Sequence, residues 1–528
     1  MSTLREISES IRREERILMQ GGGKSGVDRQ RKLGRLTARE RLSLLLDPTH
    51  PFLELGLWAA HQMYPDWGEV PAAGVVSGIG WIHGHPCMIV ANDATVKAGA
   101  MFPQSVKKVI RAQKIAQRLR LPIVYLVDSA GVFLPLQDEI FPDEDDFGRI
   151  FRNNAVLSAN GIPQYAAVMG NCVAGGAYLP VLCDKILMTE GSQLCLAGAA
   201  LVKAAIGQTV DPEELGGASM HSSISGTVDF HEMDDSACLQ RLRALIHLKP
   251  NDSTPMTGPA PLRDPNDLYQ FVKADGRGEY DIRDLLNCIV DDGSFQEFKS
   301  DYGRSIVTGY VRIDGAPAGI VANQRKRSKS AQGEFQIGGV LYGDAVEKAA
   351  RFVSDCNQTR VPLIFIQDVQ GFMVGKQAEQ SGIIRSGAQL VHAMSTATVP
   401  KFTVIVGSSY GAGHYAMCGR AYDPSLILAW PNARYAVMGG NQAADTMLTL
   451  RVRESEKSGT KLSTDAIQGL RDTIRQQYEA QTDIRYGAAR GWVDAIIAPH
   501  ETRLWLSAAL SVLRPSDLSQ PLNRGLEV

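Results

Sequence analysis

Two stretches of the chain share one pattern of apolar and polar positions. Residues 121–131 read LPIVYLVDSAG and residues 361–371 read VPLIFIQDVQG, each an apolar run after a proline that ends in aspartate and then glycine. A continuous apolar run bounded by turn residues is typical of a strand that is buried on both faces. A helix is predicted before each of these strands, over residues 105–119 and 344–357. Strands that alternate with helices indicate an α/β fold.

A predicted hairpin precedes each of these helices. Residues 76–92 read VSGIGWIHGHPCMIVAN and residues 307–323 read VTGYVRIDGAPAGIVAN, and each has two short strands around a His-Gly or Asp-Gly pair. Such dipeptides favour two-residue hairpin loops. Residues 163–178 (PQYAAVMGNCVAGGAY) and 400–415 (PKFTVIVGSSYGAGHY) form a further matching pair, downstream of the buried strands.

The matching segments define an internal duplication. They follow the same order in both halves of the chain, at a nearly constant spacing, which chance similarity does not produce. The prolines between the copies are dense and favour extended chain, as expected of a linker. The sequence therefore predicts an N-terminal domain over residues 1–250, a Pro-rich linker over residues 251–268 and a C-terminal domain over residues 269–528.

Composition and charge limit the classes of partner. The 528 residues have a formal net charge of −2, with 55 Lys and Arg against 57 Asp and Glu. No global field would attract nucleic acid or an anionic membrane. The apolar runs are far shorter than the about 20 residues that a membrane-spanning helix needs. The N-terminus has charges of both signs, unlike a secretory signal. We expect a cytoplasmic protein without nucleic-acid or membrane partners.

The cysteines give no sign of a metal or a disulfide framework. All eight are scattered along the chain and none forms a CxxC pair. Zinc sites and disulfide scaffolds depend on such close spacings. Reduced thiols in a reducing compartment are therefore expected, and no metal.

Each copy contains a Gly-rich turn after a predicted strand, with Gly175-Gly176 in the first copy and Ala412-Gly413 at the matching place in the second. Small residues let backbone N–H groups approach a ligand closely. Two such donors aimed at a carbonyl oxygen form an oxyanion hole, in which one donor is typically worth about 10²–10³ in rate. A single turn of this kind also suits close helix–strand packing. Its repetition at matched positions favours a catalytic role.

Long, ordered motifs carry a family resemblance from about residue 35 to the C-terminus. They are RLTARERLSLLLDP (35–48), VKKVIRAQKIA (106–116), FPDEDDFGRIF (141–151), CVAGGAY (172–178), GFMVG (371–375), SYGAGHYAMCGRAY (409–422) and WPNARYAVMGG (430–440). Repeats of strand, Gly-rich turn and helix resemble the crotonase superfamily. The tandem pair resembles the carboxyltransferase subunits of biotin-dependent acyl-CoA carboxylases, nearest to the methylcrotonoyl-CoA carboxylase branch. The resemblance implies a tandem duplication of two ClpP/crotonase ββα-spiral domains.

The resemblance also implies a mechanism. In this family carboxybiotin releases CO₂, and the enolate of an acyl-CoA attacks it without a side-chain base. By this likeness Gly175-Gly176 holds the thioester carbonyl and its enolate, and Ala412-Gly413 holds the biotin carbonyl. Substrate-binding roles are implied for Ala177, Tyr178, Cys195, Ala197, Gly198, His414 and Tyr415, and cofactor-binding roles for Gly371, Phe372 and Gly411.

Partners follow from the same resemblance. Family active sites form between the first domain of one subunit and the second domain of another, which implies a homo-oligomer, commonly a hexamer. The chain has no Ala-Met-Lys-Met biotin-attachment motif and no Gly-rich ATP-grasp loop. We therefore expect a separate biotin carboxylase/biotin carboxyl carrier subunit, with biotin on that partner and a coenzyme A thioester as substrate.

Three departures from the methylcrotonoyl branch concern the substrate. Residues 195–200 read CLAGAA instead of FLAGPP, and the smaller residues would leave room for a bulkier acyl group. His414-Tyr415 replaces Asn-Tyr, where the propionyl branch has Tyr-Asp. Residues 325–329 (RKRSK, Arg325 to Lys329) form a basic insertion that would suit CoA phosphates, although a solvated loop is the simpler interpretation. The expected substrate is a branched or unsaturated acyl-CoA, such as 3-methylcrotonyl-CoA or a larger analogue.

Other functions stay open from the sequence alone. A biotin-dependent acyl-CoA decarboxylase would run the same fold in reverse. Residues 407–411 (GSSYG) fit G-x-S-x-G, the nucleophile elbow of α/β serine hydrolases, with Ser409 as nucleophile. A non-catalytic scaffold would not need two donor turns. GGGKSG (21–26) departs from the P-loop pattern, because Leu18 stands where its first glycine belongs, and it is predicted to be a flexible surface loop.

Overall fold

The computed structural model describes residues 2–248, 257–276, 278–330, 333–457 and 463–513. Within these ranges the chain forms two compact units. One takes residues 12–248 with 488–491, and the other takes residues 2–11, 257–487 and 492–513. The start of the predicted linker, up to residue 256, lies outside the described residues. The predicted boundaries at residues 250 and 268 stay a prediction.

The first copy of the duplication is an eight-stranded sheet with helices against it. The strand order is β1-β2-β3-β4-β5-β6-β8, and β7 pairs with β5. These strands are β1 (Leu53–Leu55), β2 (Val75–Ile82), β3 (His85–Asn92), β4 (Ile123–Ser129), β5 (Gln164–Val173), β6 (Lys185–Thr189), β7 (Gln193–Cys195) and β8 (Phe230–Glu232). The helices up to residue 248 are α1 (Leu4–Leu18), α2 (Gly23–Lys32), α3 (Ala38–Leu45), α4 (Pro103–Leu119), α5 (Phe147–Ala159), α6 (Tyr178–Val181), α7 (Ala199–Ile206), α8 (Pro212–Gly216), α9 (Ala218–Ser223) and α10 (Asp235–His247).

The second copy repeats this topology. Its sheet order is β9-β10-β11-β15-β17-β18-β20, and β19 pairs with β17 as β7 does with β5. The strands from residue 257 onwards are β9 (Gln296–Phe298), β10 (Ile306–Ile313), β11 (Ala316–Asn323), β12 (Ser328–Lys329), β13 (Phe335–Gln336), β14 (Val340–Leu341), β15 (Leu363–Val369), β16 (Gly371–Phe372), β17 (Lys401–Tyr410), β18 (Leu426–Ala429), β19 (Arg434–Ala436) and β20 (Ala495–Ile496). The helices there are α11 (Leu268–Phe271), α12 (Ile282–Leu286), α13 (Gly343–Thr359), α14 (Lys376–Gln380), α15 (Ile383–Thr396), α16 (Gly411–Ala416), α17 (Gly440–Lys457), α18 (Thr464–Thr482), α19 (Ile484–Ala489) and α20 (Thr502–Ser511). The duplication predicted from the sequence is confirmed.

The two predicted hairpin turns have the same geometry. In His83-Gly84 and in Asp314-Gly315 both residues have positive φ, as the type I′ turn requires. A carboxylate closes each turn: Asp47 accepts the first pair of N–H groups at 3.0 and 2.7 Å, and Asp291 accepts the second pair at 2.8 and 2.8 Å. The duplication therefore extends to the polar contacts that fix the hairpins.

A buried aspartate is the next-to-last residue of the central strand in each copy. Asp128 on β4 accepts a backbone N–H from β5 at 3.2 Å, and Asp368 on β15 accepts the equivalent N–H from β17 at 2.8 Å. A Cβ on Gly170 or Gly407 would lie only 2.1 or 2.6 Å from the carboxyl carbon. Glycine is required at both places, because the carboxylate packs directly on the strand. Register shifts beside each aspartate then direct the ends of β5 and β17 into the Gly-rich turns.

Residues 21–26 form the start of a helix and not a surface loop. Helix α2 begins at Gly23, and the Gly22 N–H donates to Thr95 Oγ1 at 2.9 Å. A Cβ on Gly22 or Gly26 would lie 1.8 or 2.5 Å from the Thr95 carbonyl oxygen. The prediction of a flexible loop is therefore wrong, and these glycines permit close backbone packing.

No helix in the described part of the chain is both long enough and apolar enough to cross a bilayer.

Candidate functional site

The first donor turn, which we define as residues 174–177, follows β5 directly. It is a 3₁₀ turn that begins at Ala174 in a left-handed conformation, with φ of 57°. The first two N–H groups of such a turn have no partner within it, so that of Gly175 is available to a ligand, and Gly176 is the next residue of the turn. A Cβ on Gly176 would meet nothing within 4 Å, and its φ is not in the left-handed region. The space beside this turn is therefore open.

The second donor turn, residues 411–414, opens α16 directly after β17. Gly411 has a φ of 55°, close to that of Ala174, so the two turns begin with the same left-handed residue conformation. The N–H groups of Ala412 and Gly413 lie in the first turn of α16, where they have no partner within the helix. Gly413 differs from its counterpart: a Cβ there would lie 2.6 Å from a Val369 methyl group. Glycine at 413 is therefore required by packing.

Both turns place backbone N–H groups at the end of a buried strand. This arrangement suits a carbonyl oxygen that gains negative charge, because fixed donors stabilise that charge without reorganisation. The four residues predicted as catalytic are thus brought into two equivalent pairs, Gly175-Gly176 and Ala412-Gly413. Their role as oxyanion donors stays a prediction.

The predicted substrate residues of the first copy surround its donor turn. Ala177 is buried and Tyr178 is half-exposed at the start of α6. Cys195 pairs with β5 immediately before the turn, as the last residue of β7. Ala197 and Gly198 continue from β7 into α7, and both are partly buried. These side chains and the N–H donors therefore share one end of the sheet.

The predicted residues of the second copy are also close together. A Cβ on Gly413 would lie 3.2 Å from the Gly371 Cα, so the two glycines are neighbours. Phe372 packs on Gly387 and against the core of this copy. Tyr415 is half-exposed, with its ring 5.9 Å from that of His414.

A cavity of about 570 Å³ opens beside the second donor turn, lined by Gly411, Ala412, His414 and Tyr415. Four aromatic residues that are distant from one another in the sequence also line this cavity, and none was predicted as a site residue: Tyr435, Tyr478, Tyr486 and Trp492. Tyr478 and Tyr486 come from α18 and α19, which lie outside the repeated motifs. No sequence signal marked them, because a tyrosine on an amphipathic helix is ordinarily read as packing.

Ser409 is not placed as a hydrolase nucleophile. It is only 1% exposed and lies within the extended strand β17, whereas an elbow nucleophile occupies the strained turn itself. Its hydroxyl donates to Gln367 Oε1 at 2.7 Å and lies 2.8 Å from His414 Nδ1. A nucleophile would instead need its proton directed to a histidine that a carboxylate orients. The geometry disfavours the serine hydrolase alternative.

Arg325, the first residue of the basic insertion, belongs to the core. Its guanidinium lies 3.1 Å from the Asp368 carboxylate, and only 9% of the arginine side chain is exposed. Burial raises the pKa of Asp368, and the Arg325 charge opposes that shift. Ser328 and Lys329 form β12, which pairs with β13, and Lys326 before it is 64% exposed. We define residues 326–329 as the basic hairpin. Arg325 therefore has a structural role that the sequence interpretation did not separate from the loop.

No cluster of three or more histidine, cysteine, aspartate or glutamate side chains placed to hold a metal occurs among the described residues.

Comparisons with known proteins agree with this architecture. Residues 29–524 match the family model described as carboxyl transferase domain. The biotin-dependent 3-methylcrotonyl-coenzyme A carboxylase beta1 subunit of Mycobacterium tuberculosis is 45% identical over 505 residues, which cover 95% of this chain and 92% of the relative. The methylcrotonoyl-CoA carboxylase beta chain, mitochondrial, of Arabidopsis thaliana is 41% identical over 520 residues, 96% of this chain and 86% of the relative.

A solved structure has the same fold over the whole chain. The beta subunit of P. aeruginosa geranyl-CoA carboxylase superposes with a TM-score of 0.86 at 32% identity, covering 100% of this chain and 97% of that one. The duplicated crotonase-like architecture and the matches over nearly the full length point the same way. This chain therefore belongs to the carboxyl transferase family, as a carboxyltransferase beta subunit of the biotin-dependent acyl-CoA carboxylases.

Proposed function

We propose that this chain moves a carboxyl group from carboxybiotin on a partner subunit to a branched or unsaturated acyl-CoA, such as 3-methylcrotonyl-CoA or a larger analogue. The observation that carries the proposal is the pair of donor turns at matched places in the two copies, Gly175-Gly176 and Ala412-Gly413, each opened by a left-handed residue. A reaction that joins two carbonyl-bearing partners needs two such donor sets. The reverse reaction, decarboxylation, would use the same turns and is the alternative.

The first donor turn would hold the thioester carbonyl of the acyl-CoA. Loss of the α-proton places negative charge on that oxygen, and the N–H groups of Gly175 and Gly176 stabilise it. Biotin supplies the carboxyl group and the base. The second donor turn and its aromatic cavity fit the flat ureido ring, because N–H donors suit its carbonyl and the about 570 Å³ space is ample. The chain itself positions the partners and needs no side-chain base.

The acyl pocket is proposed to be wider than in the methylcrotonoyl branch. Cys195 stands where that branch has phenylalanine. It is the last residue of β7 and pairs with Val173, which directly precedes the first donor turn. A thiol occupies much less volume than a phenyl ring. Cys195 is partly exposed, so the space next to it is open to a ligand. The solved relative with the same fold is a geranyl-CoA carboxylase subunit, which is consistent with a larger acyl group.

Replacing Cys195 with phenylalanine is expected to narrow the pocket. We expect kcat/KM for geranyl-CoA to fall at least tenfold, while kcat/KM for 3-methylcrotonyl-CoA changes less than about threefold, because one added or removed methylene in such a pocket is already worth about 10–200-fold. The measurement is carboxylation of both substrates by the complex. Leu44→Phe, at a half-exposed position on α3, is the matched control. Equal effects on both substrates would contradict the wide pocket.

The basic hairpin is proposed to assist binding of CoA phosphates. Lys326, Arg327 and Lys329 line a cavity of about 490 Å³ in the second copy. Arg327 pairs with Glu279 at 2.6 Å, which reduces the free positive charge there. The expected contribution is therefore modest.

Replacing Lys326, Arg327 and Lys329 together with alanine is expected to raise KM for the acyl-CoA about two- to tenfold at low salt, since exposed ion pairs contribute about 0.2–1 kcal/mol each. The kcat should not change. At high salt the variant and the wild type should converge, because screening removes such contacts. Arg325 is left in place because it belongs to the core. An unchanged KM at low salt would refute the role of the hairpin.

Family members work with biotin-carrying partner subunits, and we propose such a partner for this chain as well. By analogy we also propose that the chain forms a homo-oligomer, a hexamer, and that it works in the cytoplasm. Helix α7 supports an assembly, since none of its residues is buried although it reads AALVKAAI. Leu201 and Ile206 on it are 58% and 71% exposed. Apolar surface of this kind usually marks an interface.

A further inference from the structure

The two copies differ in polarity at three matched positions around their donor turns. In the second copy Gln367, Ser409 and His414 are hydrogen-bonded in a string. The equivalent residues in the first copy follow from the register of the paired strands and from the left-handed residue that opens each donor turn. Those equivalents are Val127, Cys172 and Ala177. The string is thus a feature of the second copy alone, and duplication of the fold does not account for it.

The string ties α16 to the sheet at two points. Ser409 Oγ donates to Gln367 Oε1 at 2.7 Å, and Gln367 Nε2 donates to the Met417 carbonyl at 2.6 Å. Met417 follows the last residue of α16. His414, one residue after Gly413, contacts Ser409 Oγ through Nδ1 at 2.8 Å. The N–H groups of the second donor turn therefore lie on a short helix that is held at its middle, through His414, and just after its C-terminal end, through Met417.

The hydrogen bonds select one tautomer of the His414 imidazole. Ser409 gives its only proton to Gln367, so Nδ1 of His414 must carry hydrogen and donate to the serine oxygen. Burial lowers the pKa of His414 to about 4, which keeps the ring neutral near pH 7. A neutral ring with a defined donor can act as a fixed support.

Packing fixes the ring as well. A Cβ on Gly419 would lie 2.3 Å from His414 Nε2, so the imidazole packs against a position that tolerates only glycine. The Tyr435 ring meets the imidazole edge to face, with 5.0 Å between the centroids. The imidazole therefore has little freedom to rotate away from Ser409.

We propose that His414 is a positioning residue, which acts through Ser409 and Gln367 to hold the Ala412 and Gly413 N–H groups in the direction that the biotin carbonyl requires. This inference rests on the proposed function of the second donor turn. His414 is assigned no contact with the reacting atoms.

Two substitutions at His414 distinguish the roles of its two ring nitrogens. The Asn side chain places an amide nitrogen where Nδ1 lies, so His414→Asn should keep the contact with Ser409. Gln places its amide near Nε2, so His414→Gln should lose that contact. In the complex with its biotinylated partner, we expect His414→Gln to lower kcat about tenfold or more, since a correctly placed donor is worth about 10²–10³. His414→Asn should keep clearly more of the wild-type kcat than His414→Gln, because it retains the contact with Ser409.

The KM for acyl-CoA should not change in either variant, because the acyl-CoA is held by the other turn. Thermal denaturation of both variants checks that they fold. Ser409→Ala, which removes the acceptor with little change of volume, should lower kcat as His414→Gln does, and it serves if the glutamine variant does not fold. Wild-type kcat in Ser409→Ala, or equal losses in the Asn and Gln variants, would overturn the inference. A wild-type complex that carboxylates no acyl-CoA would instead refute the proposed function.

Discussion

Gly176→Leu is expected to lower kcat for carboxyl transfer by about 10²–10³ while the protein stays folded, the loss typical of one oxyanion donor. A Cβ added at residue 176 would meet nothing within 4 Å, so it would not clash with the backbone, and the leucine side chain would extend into the space beside the donor N–H groups. The thioester oxygen would then be kept from the Gly175 and Gly176 donors. The measurement is steady-state carboxylation by the complex, with thermal denaturation and oligomer size recorded for each variant.

Gly469→Leu is the matched control. Gly469 lies on α18, and a Cβ there also meets nothing within 4 Å. The control should keep wild-type kcat. A Gly176→Leu variant with wild-type kcat would show that the first donor turn does not stabilise the enolate. The same substitution at Gly413 is unsuitable as a test, because a Cβ there would collide with Val369 and disturb the packing.

Arg325→Ala is expected to lower the free energy of unfolding by about 3–5 kcal/mol, because breaking a buried ion pair leaves a buried charge uncompensated. Asp368 would keep its hydrogen bonds from Tyr280 and from the β17 backbone but lose its only ion-pair partner among the described residues. Urea denaturation at a fixed protein concentration measures the loss. The effect should appear as a lower unfolding midpoint even without substrate.

Lys326→Ala, at the next residue, is the internal control for Arg325→Ala. Lys326 is 64% exposed and its nearest carboxylate oxygen, on Asp281, is 3.9 Å away. Surface changes of this kind usually stay within about 0.5 kcal/mol. If Arg325→Ala were as stable as Lys326→Ala, Arg325 would belong to the solvated loop that the sequence suggested.

The duplication was readable from the sequence because a fold sets the order of its elements. Strands buried on both faces, such as β4 and β15, begin with a continuous apolar run, and His-Gly and Asp-Gly pairs mark type I′ turns. Both signals are local and survive divergence of the two copies. The donor turns were found for the same reason, since small residues after a buried strand occur twice at matched positions.

Features that depend on contacts between residues far apart in the sequence could not be predicted from it. Arg325 looked like one cation in a basic run, yet its partner Asp368 is supplied by a different strand. Gly22 and Gly26 were predicted to lie in a loop, whereas they are glycines because a side chain at either position would collide with Thr95. Tyr486 lines the cavity only because α19 returns to the second donor turn. Local pattern does not encode which segments meet in three dimensions.

The central claim is that this chain accepts a carboxyl group from a biotinylated partner and passes it to an acyl-CoA. The most direct test is to purify the chain under native conditions from its source cell and supply ATP, labelled bicarbonate and 3-methylcrotonyl-CoA or geranyl-CoA. We predict a co-purifying chain that binds streptavidin and acid-stable label in the acyl-CoA, both lost when avidin is added first. A biotinylated partner that becomes labelled but transfers nothing to any branched or unsaturated acyl-CoA would contradict the account.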